Sequence, residues 1–475
     1  MILNFHRSIA VYLLVLASAA TFAAQSEITT ATEGKAYRSA RGGWTFVHLE
    51  GSPADIGYQH GRLLAAEIED TYGVYHLEMT HSTGRDWAFF RKAAKEMLWP
   101  QIDAEYQQEL EGIAKGVRSK GVKLDLWDIV AMNAALELPD YYVPWLNKRQ
   151  KAMNAPHTSA PGDCSAFIAT GSYTKGGKIV IAHSNWSSYA EGERWTVIFD
   201  IQPTGGHHIL MDGLPGFITS DDDFGINDAG ILITETTITQ FNGWNPNGTP
   251  EFVRSRRALQ YAASIDDYVS LIEKGNNGGY ANDWLIGDRK TGEIAYLELG
   301  LKNTPLWRKK DGYFISTNFA RDKKLIADET DGFDYDNLSE SPNARRVTAE
   351  KLIENSKGRI DVELAEKFLS DHVDSYTGKV DPDERSLCGH IDQSPRGVKV
   401  WDDPPYYPDG AVTGKVTDSD LASKMSLIGR AGHPCGEDFL AAPFLKAHPE
   451  FEYLRPILKD MKAGSWTTLT AGEGR

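Results

Sequence analysis

Cys164 lies in the run Pro161-Gly-Asp-Cys-Ser-Ala-Phe167, between a small, polar stretch (Asn154 to Asp163) and an apolar, strand-like segment (Phe167 to Thr170). A thiol at the head of a strand, directly after a cleavable linker, suits a self-processing nucleophile. Breaking the Asp163–Cys164 bond would leave one residue with both a thiol and a free α-amine. Their ordinary pKa values, about 8.5 and about 7.7–8.0, leave much of the amine unprotonated near neutral pH. The amine can therefore take the thiol proton and later return one to a leaving group, with no histidine strictly required. The competing reading is a buried core cysteine, the common fate of a lone Cys.

A second strand ends in Ile181-Ala-His-Ser-Asn-Trp186, which places His183 at a strand end near the thiol in sequence. By itself such a histidine reads as a satisfied core residue; together with Cys164 it reads as part of a site. The other cysteines are Cys388 and Cys435. An odd count leaves one unpaired, and the economical assignment bonds Cys388 to Cys435 and leaves Cys164 free, with three free thiols as the alternative. No Cys-x-x-Cys or His/Cys cluster suggests zinc. Asp221-Asp-Asp223 with Asn227 lacks the regular spacing of a calcium loop and reads as a turn. No metal or cofactor is expected. Asn185, Asn247 and Asn337 open glycosylation sequons, which matter only in a eukaryotic source.

These residues must be positioned by a chain of 475 residues, 41% hydrophobic and 24% charged, with net charge −16. The balance fits a globular protein and argues against nucleic acid or anionic membranes as partners. Arg7, the apolar run Ile9 to Ala20 and small residues to Ala24 read as a secretory signal peptide over 1–24, too short to span a membrane. The mature protein is therefore expected to be soluble and secreted or periplasmic, or in a lysosome-like compartment if eukaryotic. Residues 42–52 read as a strand and turn. Ser52-Pro53 opens a helix, with serine as cap and proline at the first position. Further helical patterns occupy about 85–120 and 124–147.

After Cys164, short strands alternate with Gly/Asn/Asp turns: Lys178–His183, Trp195–Ile201, His208–Met211, Phe217–Ser220 and Ile231–Thr237. Helices are expected near Val253–Ala263 and Ile265–Lys274, then strands Trp284–Gly287, Ile294–Leu299 and Tyr313–Thr317. Asn343–Glu354 and Val362–Asp371 look helical. The Pro/Gly/Asp-rich C-terminal part is expected to wrap the surface. The pattern predicts an α+β layered fold with mostly antiparallel sheets.

Gly51-Ser-Pro-Ala-Asp-Ile-Gly-Tyr-Gln-His-Gly61, the Gly-Asp-Cys164-Ser start, Ile181–Trp186 and Tyr280-Ala-Asn-Asp-Trp-Leu-Ile-Gly-Asp288 resemble the N-terminal-nucleophile hydrolases. Within them the pattern is similar to the phospholipase B-like proteins and the related isopenicillin acyltransferase-like group. Leu214–Ser220, Gly230–Thr237 and Pro404–Ser419 carry the phospholipase B-like likeness. The resemblance covers about residues 42–440. It implies a four-layer αββα sandwich with two antiparallel sheets, autocleavage before Cys164, and hydrolysis of an acyl ester or amide. It divides the chain into an α-rich piece (25–163, with a linker near 150–163) and a catalytic piece (164–475) that stay associated.

Position by position, Cys164 matches the nucleophile. His183 matches a position that is Asp in many relatives and His in phospholipase B-like proteins. Asn282 matches an oxyanion-binding Asn, with Asn318 as the next candidate. Thr236 and Thr237 could bond the substrate carbonyl or serve as plain strand residues. Arg345, followed by Arg346, resembles an active-site arginine. Trp186 and Tyr189 could wall an acyl pocket or simply pack the core. The resemblance implies a small acylated substrate, lipid or amide. An acyltransferase that replaces water with an amine, and a catalytically silent binding relative, are the competing functions.

Overall fold

The structure is a computed structural model that describes residues 31–33, 35–150, 164–221 and 224–473. The expected signal peptide, the linker residues 151–163 and Asp222–Asp223 lie outside the described residues. The strands, in chain order, are β1 (Ala31–Glu33), β2 (Ala36–Arg41), β3 (Trp44–Gly51), β4 (Cys164–Gly171), β5 (Gly177–Ser188), β6 (Val197–Pro203), β7 (Ile209–Gly213), β8 (Gly225–Asn227) and β9 (Ile231–Thr237). There follow β10 (Asn282–Asp288), β11 (Glu293–Leu299), β12 (Leu306–Lys309), β13 (Gly312–Ser316), β14 (Val373–Asp374), β15 (Lys379–Val380), β16 (Asp409–Asp418), β17 (Ser426–Ala431) and β18 (Thr467–Thr470).

Two large sheets result. One has ten strands in the order β1-β2-β3-β6-β7-β8-β9-β10-β11-β12, and the other six in the order β13-β4-β5-β16-β17-β18. Pairing is antiparallel except between β3 and β6, which run parallel. A helical segment and the β4–β5 hairpin intervene between them, a crossover long enough to return the chain in the same direction. The expected mixed α+β class with antiparallel sheets is thus present, with this one parallel pair added.

Residues alternate faces along each strand. In β4, Ala166 and Ile168 share an apolar core with Leu232, Leu285 and Tyr296 of the ten-stranded sheet. Phe167 and Ala169 point the other way, onto Ala349 and Ile353 of helix Ser341–Asn355 and Phe368 of helix Val362–Leu369. The far side of the large sheet packs Ile231, Ile233, Trp284 and Leu297 against helical residues such as Ile68, Leu110 and Ile129. Strand β4 is therefore buried on both faces, which fixes its register.

The helical N-terminal part is locally well specified. Ser52 and Asp55 form a reciprocal capping box on helix Pro53–Leu63. That helix crosses helix Ala104–Ser119 at glycines on both sides: a Cβ on Gly57 would come within 1.9 Å of the Glu109 carbonyl oxygen, and one on Gly116 within 2.4 Å of the Tyr58 carbonyl oxygen. His60 of the same helix is buried, its pKa lowered to about 3 by burial, and Nε2 accepts from the Gly216 amide at 2.9 Å. The Gly51–Gly61 motif thereby anchors the Leu214–Ser220 segment.

Three expectations are corrected. Phe217–Ser220 is a turn, because Asn133 takes over its backbone: Nδ2 donates to the Gly216 carbonyl and Oδ1 accepts from the Ile218 amide. The 85–120 pattern breaks into a helix Trp87–Ala93, a π-turn and a separate helix Ala104–Ser119, with Pro100 at the break. The C-terminal part does not simply wrap the surface: β16 lies inside the six-stranded sheet, and all ten of its residues are buried. Among the described residues no helix is long and apolar enough to cross a membrane.

Candidate active site

Cys164 is the first residue of β4 and is 2% exposed. Its strand neighbour is Asn185 of β5, and His183 sits two residues along on the same face. The Cys164 Sγ lies 3.8 Å from Asn185 Oδ1. A ring nitrogen of His183 and a carboxylate oxygen of Glu235 complete a buried trio with the thiol, all within 4.8 Å of one another. The Tyr280 hydroxyl donates to Glu235 at 3.0 Å. This set offers a nucleophile, a proton carrier and a carboxylate in one place; the same three ligand types could also hold a soft metal ion.

The backbone of Cys164 is held as firmly as its side chain. Its N–H donates to Asn318 Oδ1 at 2.9 Å. Its carbonyl accepts from Arg345 Nη1, which also donates to Ser165 Oγ at 2.9 Å. Arg345 Nη2 reaches Asn318 Oδ1 at 2.9 Å, and Nε reaches Ser341 Oγ at 3.0 Å. The guanidinium is fully buried and lies 4.3 Å from the Trp186 ring centroid and 5.5 Å from that of Trp401. A planar fork is required for this set of contacts, which a lysine could not reproduce.

Asn318 is fixed in turn. It adopts φ +70°, a region Asn tolerates better than most residues. Nδ2 donates to the Thr237 carbonyl at 3.1 Å, and its own N–H donates to Thr236 Oγ1 at 3.2 Å. Thr236 and Ser316 hydroxyls are 2.5 Å apart, and Ser316 donates to Asp283 Oδ2 at 2.9 Å. Since Ser316 gives its proton to Asp283, Thr236 must be the donor to Ser316. The relay therefore runs from Asn318 to a buried carboxylate. Asp283 faces Glu298 across β10–β11. Burial raises both, Glu298 to about 7, and the charge of Glu298 raises Asp283 further.

The thiol opens on a cleft of about 360 Å³. Cys164, Asn185, Trp186, Thr237, Tyr280 and Trp401 form its inner wall. Glu78, Asp140, Glu191, Asp402, Asp403 and Asp409 bring carboxyl groups to the rest of the lining, beside His81 and apolar or aromatic residues such as Met79, Leu136 and Tyr453. Burial and the neighbouring Glu191 push the Glu78 carboxyl well above the usual carboxylate range, and burial raises Glu191 as well. Ser188 donates to Glu78 at 2.8 Å and Ser187 to Glu191 at 2.7 Å, so the end of β5 carries both acids.

Of the residues singled out in the sequence, Cys164, Trp186 and Thr237 line the cleft, and His183, Thr236 and Arg345 stand directly behind it. Asn282 begins β10 opposite Thr237; it is outside the lining, and both polar atoms of its side chain are buried with no hydrogen-bond partner among the described residues. Tyr189 instead packs on Phe439 and His433, with its hydroxyl on Asp392. Arg346 pairs with Glu350 on the helix surface. Asn227 spends its side chain on the backbone of Leu259, Ala262 and Ile231. Asn185 is buried, so its sequon is closed to modification in the folded chain. Reading the sequence missed Asn185, Glu235, Tyr280 and Trp401. Only Asn185 carried a local signal, being two residues beyond His183 on one strand. All three cysteines are free thiols, which corrects the expected Cys388–Cys435 bond.

A family model described as Phospholipase B matches residues 76–296, a span that includes Cys164, His183, Glu235 and Asn282. A protein named putative phospholipase B-like 1 from Caenorhabditis elegans is 28% identical over 42% of this chain and 36% of its own length. Putative phospholipase B-like 2 from Mus musculus is 25% identical over 61% of this chain and 54% of its own. Phospholipase B-like 1 from Homo sapiens is 24% identical over 38% and 35%. These matches support the phospholipase B-like family. The chain spans less than half the length of the first curated relatives it matches. Arg345, Asn318 and Trp401 lie beyond the span that the family model matches, and the structure brings them to Cys164 and its cleft.

Proposed function

We propose that this chain is an exported, self-cleaving cysteine hydrolase of the N-terminal-nucleophile type, built as a four-layer αββα sandwich and cleaving an acyl ester or amide. The observation that carries the reading is the dual grip on Cys164: a buried asparagine oxygen receives its nitrogen and a buried arginine its carbonyl, while its thiol faces a cleft. Plain core packing does not require a backbone nitrogen to be held by a side chain at the head of a strand.

In the processing step the Cys164 thiol adds to the carbonyl of residue 163, the C–N bond breaks, and the acyl group passes to sulfur. Water then hydrolyses that thioester and leaves a free α-amine. Asn318 Oδ1 is placed to orient this amine toward the thiol. In turnover the thiolate attacks the substrate carbonyl, the amine returns the proton to the leaving group, and water releases the acid. Asn185 Nδ2, buried and unpartnered among the described residues, and Asn282 are the proposed donors to the tetrahedral oxyanion. The acidic, aromatic cleft favours acyl substrates with a neutral or cationic head group, such as lipids or amides, over those bearing a free carboxylate.

The test is to quench turnover in acid and to analyse the peptide containing Cys164 by mass spectrometry. The proposal expects a thioester adduct equal in mass to the substrate's acyl group, absent in Cys164→Ala. Steady turnover by the Cys164→Ala protein, or an adduct on another residue, would refute it.

A further inference from the structure

We propose that His372, Cys388, His390 and Cys435 form a structural zinc site, separate from the cleft. The four residues come from three separate stretches of sequence, yet one ligand atom from each lies within 4.8 Å of all the others. They come from three places: the end of helix Val362–Leu369, the loop before β16, and the turn after β17. Cys388 and His390 are fully buried.

The spacing fits a tetrahedron. With Zn–S about 2.3 Å and Zn–N about 2.0–2.1 Å, the edges between ligand atoms are about 3.4–3.8 Å. His390 Nε2 is 3.7 Å from the Cys388 sulfur and 3.6 Å from the Cys435 sulfur. A nitrogen lone pair aimed at a shared cation is naturally equidistant from two thiolates, and these two distances are nearly equal. The other ring nitrogen of His390 faces outward, 3.3 Å from the Gln393 side-chain amide and 4.0 Å from Asp392 Oδ1. Of the two, the Asp392 carboxylate is the group able to accept the N–H of a ligating imidazole, since the amide nitrogen is a donor. The His372 side chain is turned toward the Cys435 sulfur, as the His390 ring is. The rings of His372 and His433 pack around His390 at 5.2 and 4.3 Å.

Charge supports the same ion. Two thiolates and two neutral imidazoles cancel a divalent charge, so the complex can be buried at small desolvation cost. Four protein ligands close the coordination sphere, the mark of a structural rather than a catalytic zinc. Its work is evident from the neighbours. Cys388 shares an apolar cluster with Trp186 and Trp401, the two indoles beneath Arg345. The adjoining Gly389 is pressed so close that a Cβ there would fall 2.1 Å from Trp186. Zinc would pin this loop and, through it, one wall of the cleft.

The experiment is metal analysis of the full chain purified without chelator, with X-ray absorption at the zinc edge. The proposal expects one zinc per chain, with two sulfur and two nitrogen neighbours, and a lower melting temperature after chelation that zinc restores. Zinc should persist in Cys164→Ala and fall away in the Cys388→Ser/Cys435→Ser double variant. Should the double variant fail to fold, the absorption spectrum of the unaltered protein still decides. A chain that binds no zinc and is two hydrogens lighter than its reduced mass, showing a Cys388–Cys435 disulfide, overturns the proposal. So does zinc lost in Cys164→Ala, which would assign the ion to Cys164, His183 and Glu235. Neither result depends on whether the cleft hydrolyses anything.

Discussion

Replacing Asn318 isolates the contact that would orient the new N-terminus. Its side chain makes three hydrogen bonds: from the Cys164 N–H, from Arg345, and to the Thr237 carbonyl. Neutral hydrogen bonds contribute about 0.5–1.5 kcal/mol and those to a charged group about 1.5–3, so their joint loss should cost about 3–5 kcal/mol of stability. Asn318→Gly removes the side chain but suits the φ of +70°. Asn318→Ala should cost about 1–2 kcal/mol more, because a Cβ is strained in the left-handed region. That difference separates backbone strain from the lost contacts. With the amine no longer aimed at sulfur, kcat/KM of cleaved enzyme should fall on the order of 10²-fold in both variants, as expected for a misplaced catalytic group. The assays are urea unfolding, the rate at which iodoacetamide alkylates Cys164, and kcat/KM on protein confirmed as cleaved. An Asn318→Gly enzyme with unchanged alkylation and turnover would refute the reasoning.

Asn185→Ala and Asn282→Ala should each lower kcat by about 10²–10³ with processing and fold retained; whichever enzyme keeps full activity loses its place as an oxyanion donor. The Asp283–Glu298 pair predicts a pH dependence of stability. Glu298 has its pKa raised to about 7 by burial, above its ordinary 4.5. Its contribution is therefore complete below about pH 4.5 and is lost as pH rises through about 7, up to about 3 kcal/mol. Glu298→Gln should flatten that part of the profile in urea unfolding at roughly pH 5 and pH 8; an unchanged slope would place the titration elsewhere.

The strands that carry the site were legible where hydrophobicity and turn residues agreed. Ile231–Thr237 coincides with β9, and the Ser52-Pro53 helix start is where its cap predicts. β16 was hidden because Gly410, Gly414, Lys415 and Asp418 look like surface residues. Lys415 of the six-stranded sheet is neutralised by Asp212 of the ten-stranded sheet at 2.7 Å, with both side chains fully buried. Asn318 and Glu235 meet Cys164 only through pairing between distant segments, which no local pattern records. The zinc ligands were missed for the same reason: Cys435 lies 63 positions after His372 and 45 after His390, and only folding assembles the four.

The most direct test of the account is the intact mass and N-terminal sequence of the purified protein beside its Cys164→Ala variant. The account predicts two associated fragments in the first, one of them beginning at Cys164, and a single uncleaved chain in the second. An unbroken but active wild-type chain, or a Cys164→Ala protein split at the same bond, would contradict it.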